Sequence, residues 1–226
     1  MAMEIPLSEI KPHFTVPFNS LANPSLECPR YQQLIHFLRL SPHLEGGYFR
    51  ETDRDRDQIV CPGDKRPGSI PTSGTCHDIR SLSTTRLYLL TPPSPIQAFH
   101  RTRSRVVHTL HRGRAIYVIL KSGGRQKESD RVQVESFVVG QDLGNGEKVQ
   151  WVVEGGCYKA SFLIPDGDTD GNSSGLLISE TVMPGFEYRD HEFLQAHDLN
   201  RMVDPTASKQ MAWLLRENFT QGSDFP

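Results

Sequence analysis

Ser41-Pro42-His43-Leu44-Glu45-Gly46-Gly47-Tyr48-Phe49-Arg50-Glu51-Thr52 is the stretch whose reading decides the fold. It sets His43, Glu45, Tyr48, Arg50 and Glu51 around a Gly46-Gly47 pair. Two adjacent glycines let a backbone turn sharply or approach another group closely. So many hydrogen-bonding side chains around such a turn exceed what a plain surface loop needs. The stretch therefore reads either as a site or as the anchor of a buried corner.

Downstream the pattern is repetitive. Segments 84–90, 96–100, 105–110, 115–120, 132–139, 149–153, 159–164 and 176–182 are short and rich in Val, Ile, Thr, Leu and aromatics. Turn residues bound most of them, as at Pro92-Pro93, Arg112-Gly113, Gly123-Gly124, Gly144-Asn145-Gly146 and Gly155-Gly156. Short strands at a spacing of roughly 8–12 residues indicate an antiparallel barrel or sandwich. No alternation of strand and helix suggests a parallel sheet. Upstream, Pro12, Pro17, Pro24 and Pro29 stand too close together for a helix. Residues 1–30 read as an extended arm, and 31–40 as a short amphipathic helix carrying Leu34, Ile35, Phe37 and Leu38. Residues 53–81 are polar and aperiodic and read as a long loop or insertion. The barrel domain is placed at 31–200, and 201–226 reads as a C-terminal helix with a tail, carrying Met211, Leu214 and Leu215.

Composition narrows the function classes. The 226 residues are 36% hydrophobic, which suffices for one well-cored domain with appendages. Lys and Arg number 25 against 27 Asp and Glu, a net charge of -2, so nothing calls for nucleic acid or an acidic membrane surface. No apolar run approaches the roughly 20 residues that span a bilayer, and the N-terminus does not read as a signal peptide. Cys28, Cys61, Cys76 and Cys157 form no CxxC pair, which argues against structural zinc. They read as reduced thiols of a cytoplasmic protein, in which the acceptor motifs at Asn172 and Asn218 stay unglycosylated.

Five motifs, in order, resemble a cupin subfamily of small proteins of largely unknown activity, the DUF985 or cupin-5 group. The opening stretch resembles its "HPEGGYFRET". Ser83-Thr84-Thr85-Arg86-Leu87-Tyr88-Leu89-Leu90 is similar to its "S-T-x-I-Y-F-L-L", and Phe99-His100-Arg101 to its "W-H-R". Gly140-Gln141-Asp142-Leu143-Gly144-Asn145-Gly146-Glu147 and Val182-Met183-Pro184-Gly185-Phe186-Glu187-Tyr188 match two further motifs. The resemblance implies an all-β, double-stranded β-helix (RmlC-like cupin jelly roll), a homodimer, and a pocket inside the barrel for a small molecule.

The chain also departs from that pattern. Aligned on Gly113, the acidic position of the family becomes Val106, its Trp becomes His108 and its His becomes Thr109. Later, Tyr158 replaces Trp and Lys159 stands where Gln is common. Many cupins hold a metal through histidines and one carboxylate, a donor set suited to Fe, Mn, Ni or Zn. An apolar Val106 cannot serve, so the expectation is no cofactor; a metal, if held, would use His100 and His108. Those two share a face by strand parity, whereas His108 and His111 do not. A histidine can move a proton in either direction. His100 is accordingly expected as a base, with Tyr48, Glu51, Tyr158 and Lys159 as catalytic partners that orient substrate or stabilise an oxyanion. Arg50, His108, Phe99 and Arg101 are expected to bind substrate. The reading is a metal-independent isomerase, cyclase or epimerase recruited to secondary metabolism. A dioxygenase-like metal enzyme and a non-catalytic binding cupin are the alternatives. Asp166-Gly167-Asp168-Thr169-Asp170-Gly171 lacks the Glu and the helices of a calcium loop and reads as a polar hairpin.

Overall fold

Side-chain alternation along the strands builds the molecule. The computed structural model describes residues 5–14, 22–61, 78–121, 131–166 and 175–219. In chain order the strands are β1 (Ser41–Pro42), β2 (Tyr48–Arg54), β3 (Gln58–Cys61), β4 (Asp78–Ser81), β5 (Thr84–Leu90), β6 (Ile96–Arg101) and β7 (Arg105–Arg112). They continue as β8 (Ala115–Lys121), β9 (Gln133–Val139), β10 (Gln150–Val153), β11 (Tyr158–Leu163), β12 (Leu176–Met183) and β13 (Glu192–Phe193). One sheet runs β1-β2-β5-β12-β7-β10, the other β13-β6-β11-β8-β9, and every strand pair in them is antiparallel. This is the mostly-β, antiparallel architecture of a jelly roll.

Each sheet buries its inner face in the barrel and part of its outer face under helices. On β5, Thr84, Arg86, Tyr88 and Leu90 share one face with Ile178, Glu180 and Val182 of β12. This face looks into the barrel. The opposite face carries Leu89, which packs with Tyr31 and Ile35 of helix α1 (Pro29–Leu38). Helix α1 begins with Pro29 in its first turn and ends at Arg39, whose φ of 52° stops it. On the second sheet Tyr117, Lys159, Ser161 and Leu163 face inward. Ile116, Val118, Tyr158, Ala160 and Phe162 face outward. Helices α2 (Ala196–Met202) and α3 (Pro205–Met211) cover that outer face through Leu199, Ala207 and Met211. The Asp204 side chain accepts from the Thr206 and Ala207 N–H groups and caps α3.

The structure corrects three expectations. The expected C-terminal helix at 201–226 is the shorter α3, Pro205–Met211, followed by 3-10 turns, and a further helix, Ala196–Met202, precedes it across Asp204-Pro205. The expected long loop is in part a hairpin, β3 with β4, that continues the β2–β5 pairing outward. Five further strands among the described residues, β1, β2, β3, β4 and β13, extend the eight expected segments. The turn at Gly123-Gly124 and the acidic run after Asp166 lie outside the described residues.

Candidate active site inside the barrel

Inward-facing positions normally carry apolar side chains, yet one layer here is polar. Val106, Val182 and Phe186 pack together toward one end, and Leu90, Phe137, Leu163 and Ile178 belong to a cluster at the other. Between them the register sets His108 opposite Glu180 (β7–β12), Glu180 opposite Arg86 (β12–β5) and Lys159 opposite His100 (β11–β6). An irregularity in β6 lets Gln97 and His100, three residues apart, both pair with inward residues of β11. Glu45, Arg86, Gln97, His100, His108, Lys159 and Glu180 are all buried.

Glu45 reaches this layer through the glycine pair. Gly46 has φ of 102°, and a Cβ there would stand 2.1 Å from the Ile96 carbonyl oxygen. Only glycine fits so close an approach in that conformation. The turn is tied down by Gly47 N–H donating to Ser94 Oγ at 2.9 Å and by the Tyr88 hydroxyl donating to the Gly46 carbonyl. The Glu45 carboxylate then meets His191 Nε2 at 2.9 Å, His100 Nε2 at 3.3 Å and His43 Nδ1 at 3.5 Å. Gln97 Nε2 donates to it at 2.8 Å, and Arg86 Nη2 stands 3.9 Å away.

Glu180 has a different shell. Arg86 Nε donates to it directly, and Lys159 Nζ donates at 2.9 Å. His108 Nε2 lies 3.0 Å from the same carboxylate and 2.7 Å from Lys159 Nζ. Two cations and two carboxylates make the layer electrically neutral when the imidazoles are neutral.

Burial keeps them so. It pushes His100 down to about 3, against the opposing pull of Glu45, and His43 to about 4. Burial, with Lys159 adding to it, lowers His108 to about 4. Burial also lowers Lys159 from its ordinary value, with Glu180 opposing. Burial acts to raise both carboxyls but is outweighed. His100, His43 and Arg86 hold Glu45 well below the usual range, and Arg86, Lys159 and His108 do the same for Glu180. The tautomer of His100 follows from its neighbours. Its Nδ1 lies 2.8 Å from the Ala98 carbonyl oxygen and so carries the proton. Nε2 is then a bare lone pair, and no hydrogen bond reaches it.

A cavity of about 360 Å³ opens beside this layer, lined by Phe49, Glu51, Arg54, Arg86, Phe186 and Tyr188 among others. Arg86 belongs to both the cavity and the buried network. Its guanidinium carbon lies 5.5 Å from the centre of the Phe186 ring.

Of the nine residues expected from the sequence, His100, His108 and Lys159 come together in the barrel; His100 on β6 and His108 on β7 belong to different sheets, with a bend between them that strand parity does not cross. The others do not join them. Tyr48 faces α1, where its hydroxyl donates to Glu27 Oε1 at 2.8 Å. Phe99 and Tyr158 sit on the outer face of the second sheet, beneath the C-terminal helices. Tyr158 donates to Glu192, and Arg101 pairs with Glu192 at 2.7 Å while lying over the Tyr158 ring. Arg50 donates to the Leu38 carbonyl at 3.2 Å, and Glu51 is an exposed partner of Arg54 at 2.9 Å; both only border the cavity. Sequence reasoning missed His43, Glu45, Arg86, Glu180 and His191. Arg86 and Glu180 carried a signal, since each is a charge at an inward position of an expected strand. His191 carried none.

The two histidines considered above as metal ligands turn to different carboxylates. His100 turns to Glu45 and His108 to Glu180, and the Lys159 ammonium occupies the Nε2 of His108. The His100 and His191 rings stack 5.4 Å apart at 12°, and their Nε2 atoms reach the same oxygen of Glu45, at 3.3 and 2.9 Å. Among the described residues no group of three or more His, Cys, Asp and Glu is arranged to hold a metal ion. No helix among them is long and apolar enough to cross a membrane.

The family model described as Cupin superfamily (DUF985) matches residues 32–194. An uncharacterized protein of Saccharomyces cerevisiae, YML079W, is 44% identical over 184 residues, covering 81% of this chain and 85% of that protein. A solved structure of a hypothetical protein from Leishmania major superposes with a TM-score of 0.60 at 29% identity, covering 79% of this chain and 96% of its own. A solved Shewanella oneidensis protein shares the fold, with a TM-score of 0.54 at 22% identity over 78% of this chain and 92% of its own. The chain belongs to the Cupin superfamily (DUF985) family.

Proposed function

Taking membership of the DUF985 cupins as the premise, we propose that this protein is a small-molecule enzyme of isomerase, epimerase or cyclase type. It moves a proton inside the barrel without a metal, with His100 as the base. The observation that carries the reading is the unsatisfied Nε2 of His100 beside Glu45. A buried acceptor with no donor costs about 1–3 kcal/mol, and structures retain such groups where they have work to do. On taking a proton the imidazole becomes a cation 3.3 Å from a carboxylate already in place to stabilise it. Lys159, the direct cross-strand neighbour of His100, supplies the complementary charge. Its ammonium can stabilise the oxyanion of an enolate or return a proton to it. Arg86 lies where the cavity meets this network and is suited to orient an anionic substrate as it enters.

The experiment is proton exchange in deuterium oxide, followed by NMR over a panel of small enolisable hydroxy- and oxo-carbonyl compounds, using chelator-treated protein. Exchange at the carbon next to the carbonyl is expected, and His100→Gln should slow it by about 10²–10⁴-fold. Stoichiometric Fe, Mn, Ni or Zn in the purified protein, with activity lost on chelation, would overturn the metal-free reading. Turnover unchanged in His100→Gln would remove His100 as the base.

A further inference from the structure

Three more groups in the barrel interior lack hydrogen-bond partners: Nδ1 of His108, the hydroxyl of Tyr117 and Nε1 of Trp151. His108 and Tyr117 are fully buried and Trp151 is 5% exposed. They form a single contact cluster. The His108 and Trp151 rings stack at 5.1 Å and 11°, as their direct pairing across β7 and β10 dictates. Tyr117 meets Trp151 at 4.6 Å and His108 at 5.6 Å, both edge-on. The cross-strand neighbour of Tyr117, Ser161, turns its hydroxyl to Gln97 instead.

The three groups share one chemistry. An indole N–H can only donate. The Tyr117 phenol keeps its proton, because burial pushes it well above its ordinary value and Glu180 adds to the effect. His108 Nε2 stands 2.7 Å from the Lys159 ammonium and 3.0 Å from the Glu180 carboxylate, and in the tautomer that accepts from Lys159 the proton sits on Nδ1. Each unmade hydrogen bond of a buried donor costs about 1–3 kcal/mol, so three in one cluster are expensive unless something completes them.

We infer that His108, Tyr117 and Trp151 form a subsite that donates hydrogen bonds to the carboxylate or enolate oxygen of a small planar oxo-acid. The subsite rests on, and deepens, the reading of the barrel as a proton-transfer site. It adjoins Lys159 through His108. An oxyanion held there meets neutral donors first and the ammonium next, the arrangement that favours charge developing during the reaction over charge already present.

The test reads binding, so it does not depend on turnover. The chain has two tryptophans, Trp151 and Trp213, and hence two indole signals in a ¹⁵N-correlated NMR spectrum. Pyruvate and oxalate, the latter as an enolate mimic, are titrated into the full chain, with the signals assigned through Trp213→Phe. A saturable downfield shift of the Trp151 indole is expected. Tyr117→Phe should weaken the affinity by about tenfold or more, and His108→Gln, as a second variant, should do the same. A Trp151 signal that stays fixed, or drifts without saturating, overturns the subsite and leaves ordered water as the partner of the donors. Equal affinity in both variants overturns it as well. A saturable shift without proton exchange keeps the subsite and rejects the catalytic reading; exchange without the shift does the reverse.

Discussion

Glu45 and Glu180 are the same residue type, are both fully buried and lie in one polar layer, yet they are neutralised differently. Glu180 touches two cations, Arg86 and Lys159. Glu45 touches imidazoles and an amide, and Arg86 Nη2 comes no nearer than 3.9 Å. The first carboxylate is electrically closed, and its role is to hold Arg86 and Lys159 in place. The second still has room for positive charge beside it, and His100 is where that charge can form. Glu180 is thus matched mainly by fixed cations and Glu45 mainly by imidazoles.

Arg86 is the group common to both carboxylates, so removing it breaks the comparison most severely. Arg86→Met leaves two buried carboxylates with one ammonium and neutral imidazoles. A loss of about 3–5 kcal/mol is expected in urea unfolding, as for breaking a buried ion pair. A loss below about 1 kcal/mol would show that the carboxylates are not both charged in the native state.

Acid sharpens the contrast next. His43, His100 and His108 have folded values lowered to about 4, 3 and 4. The unfolded chain takes up these protons near pH 6.5 and the folded one cannot. Their contribution is therefore present above pH 6.5 and is lost as the pH falls toward 4 and 3. The cost is on the order of 1 kcal/mol per histidine for each pH unit in that window. The carboxylates, also lowered, add to the loss below about pH 4.5. Thermal melts from pH 7.5 to 5 should show the midpoint falling steadily. A midpoint that rises on acidification would mean that the imidazoles are charged in the fold.

The smallest effect lies outside the barrel. Tyr48→Phe removes the hydrogen bond to Glu27, which Thr91 Oγ1 also satisfies at 2.7 Å. About 1 kcal/mol of stability should be lost, with proton exchange unchanged. A large drop in exchange rate would return Tyr48 to the site from which its orientation separates it.

The strand pattern carried the fold because period-2 alternation survives any register, and the strong β-formers on 84–90, 115–120 and 176–182 lie where strands lie. The site was legible only in part, at His100, His108 and Lys159, which are buried in the barrel. It was misread at Tyr48, Phe99, Arg101 and Tyr158. Most of those residues lie where helices cover the outer face, as α1 does at Tyr48 and α2 and α3 do at Phe99 and Tyr158, and burial on both sides there erases the difference between inward and outward. It was missed at Arg86 and Glu180, whose charges at otherwise apolar strand positions mark the inner face. Their partners lie far away in sequence: Arg86 to Glu180 spans 94 residues and His191 to Glu45 spans 146.

The stretch from Ser41 to Thr52 shows the division most plainly. By itself the sequence determined that Gly46-Gly47 forms a tight turn, that the chain is an antiparallel β protein and that it resembles the DUF985 cupins. Tertiary structure alone decided that the turn drives Glu45 and His43 into the interior while Tyr48 and Glu51 are turned away from it. The physical reason is the close approach of Gly46 to the Ile96 carbonyl, 50 residues on in the chain. That contact carries Glu45 to within 3.3 Å of His100 Nε2.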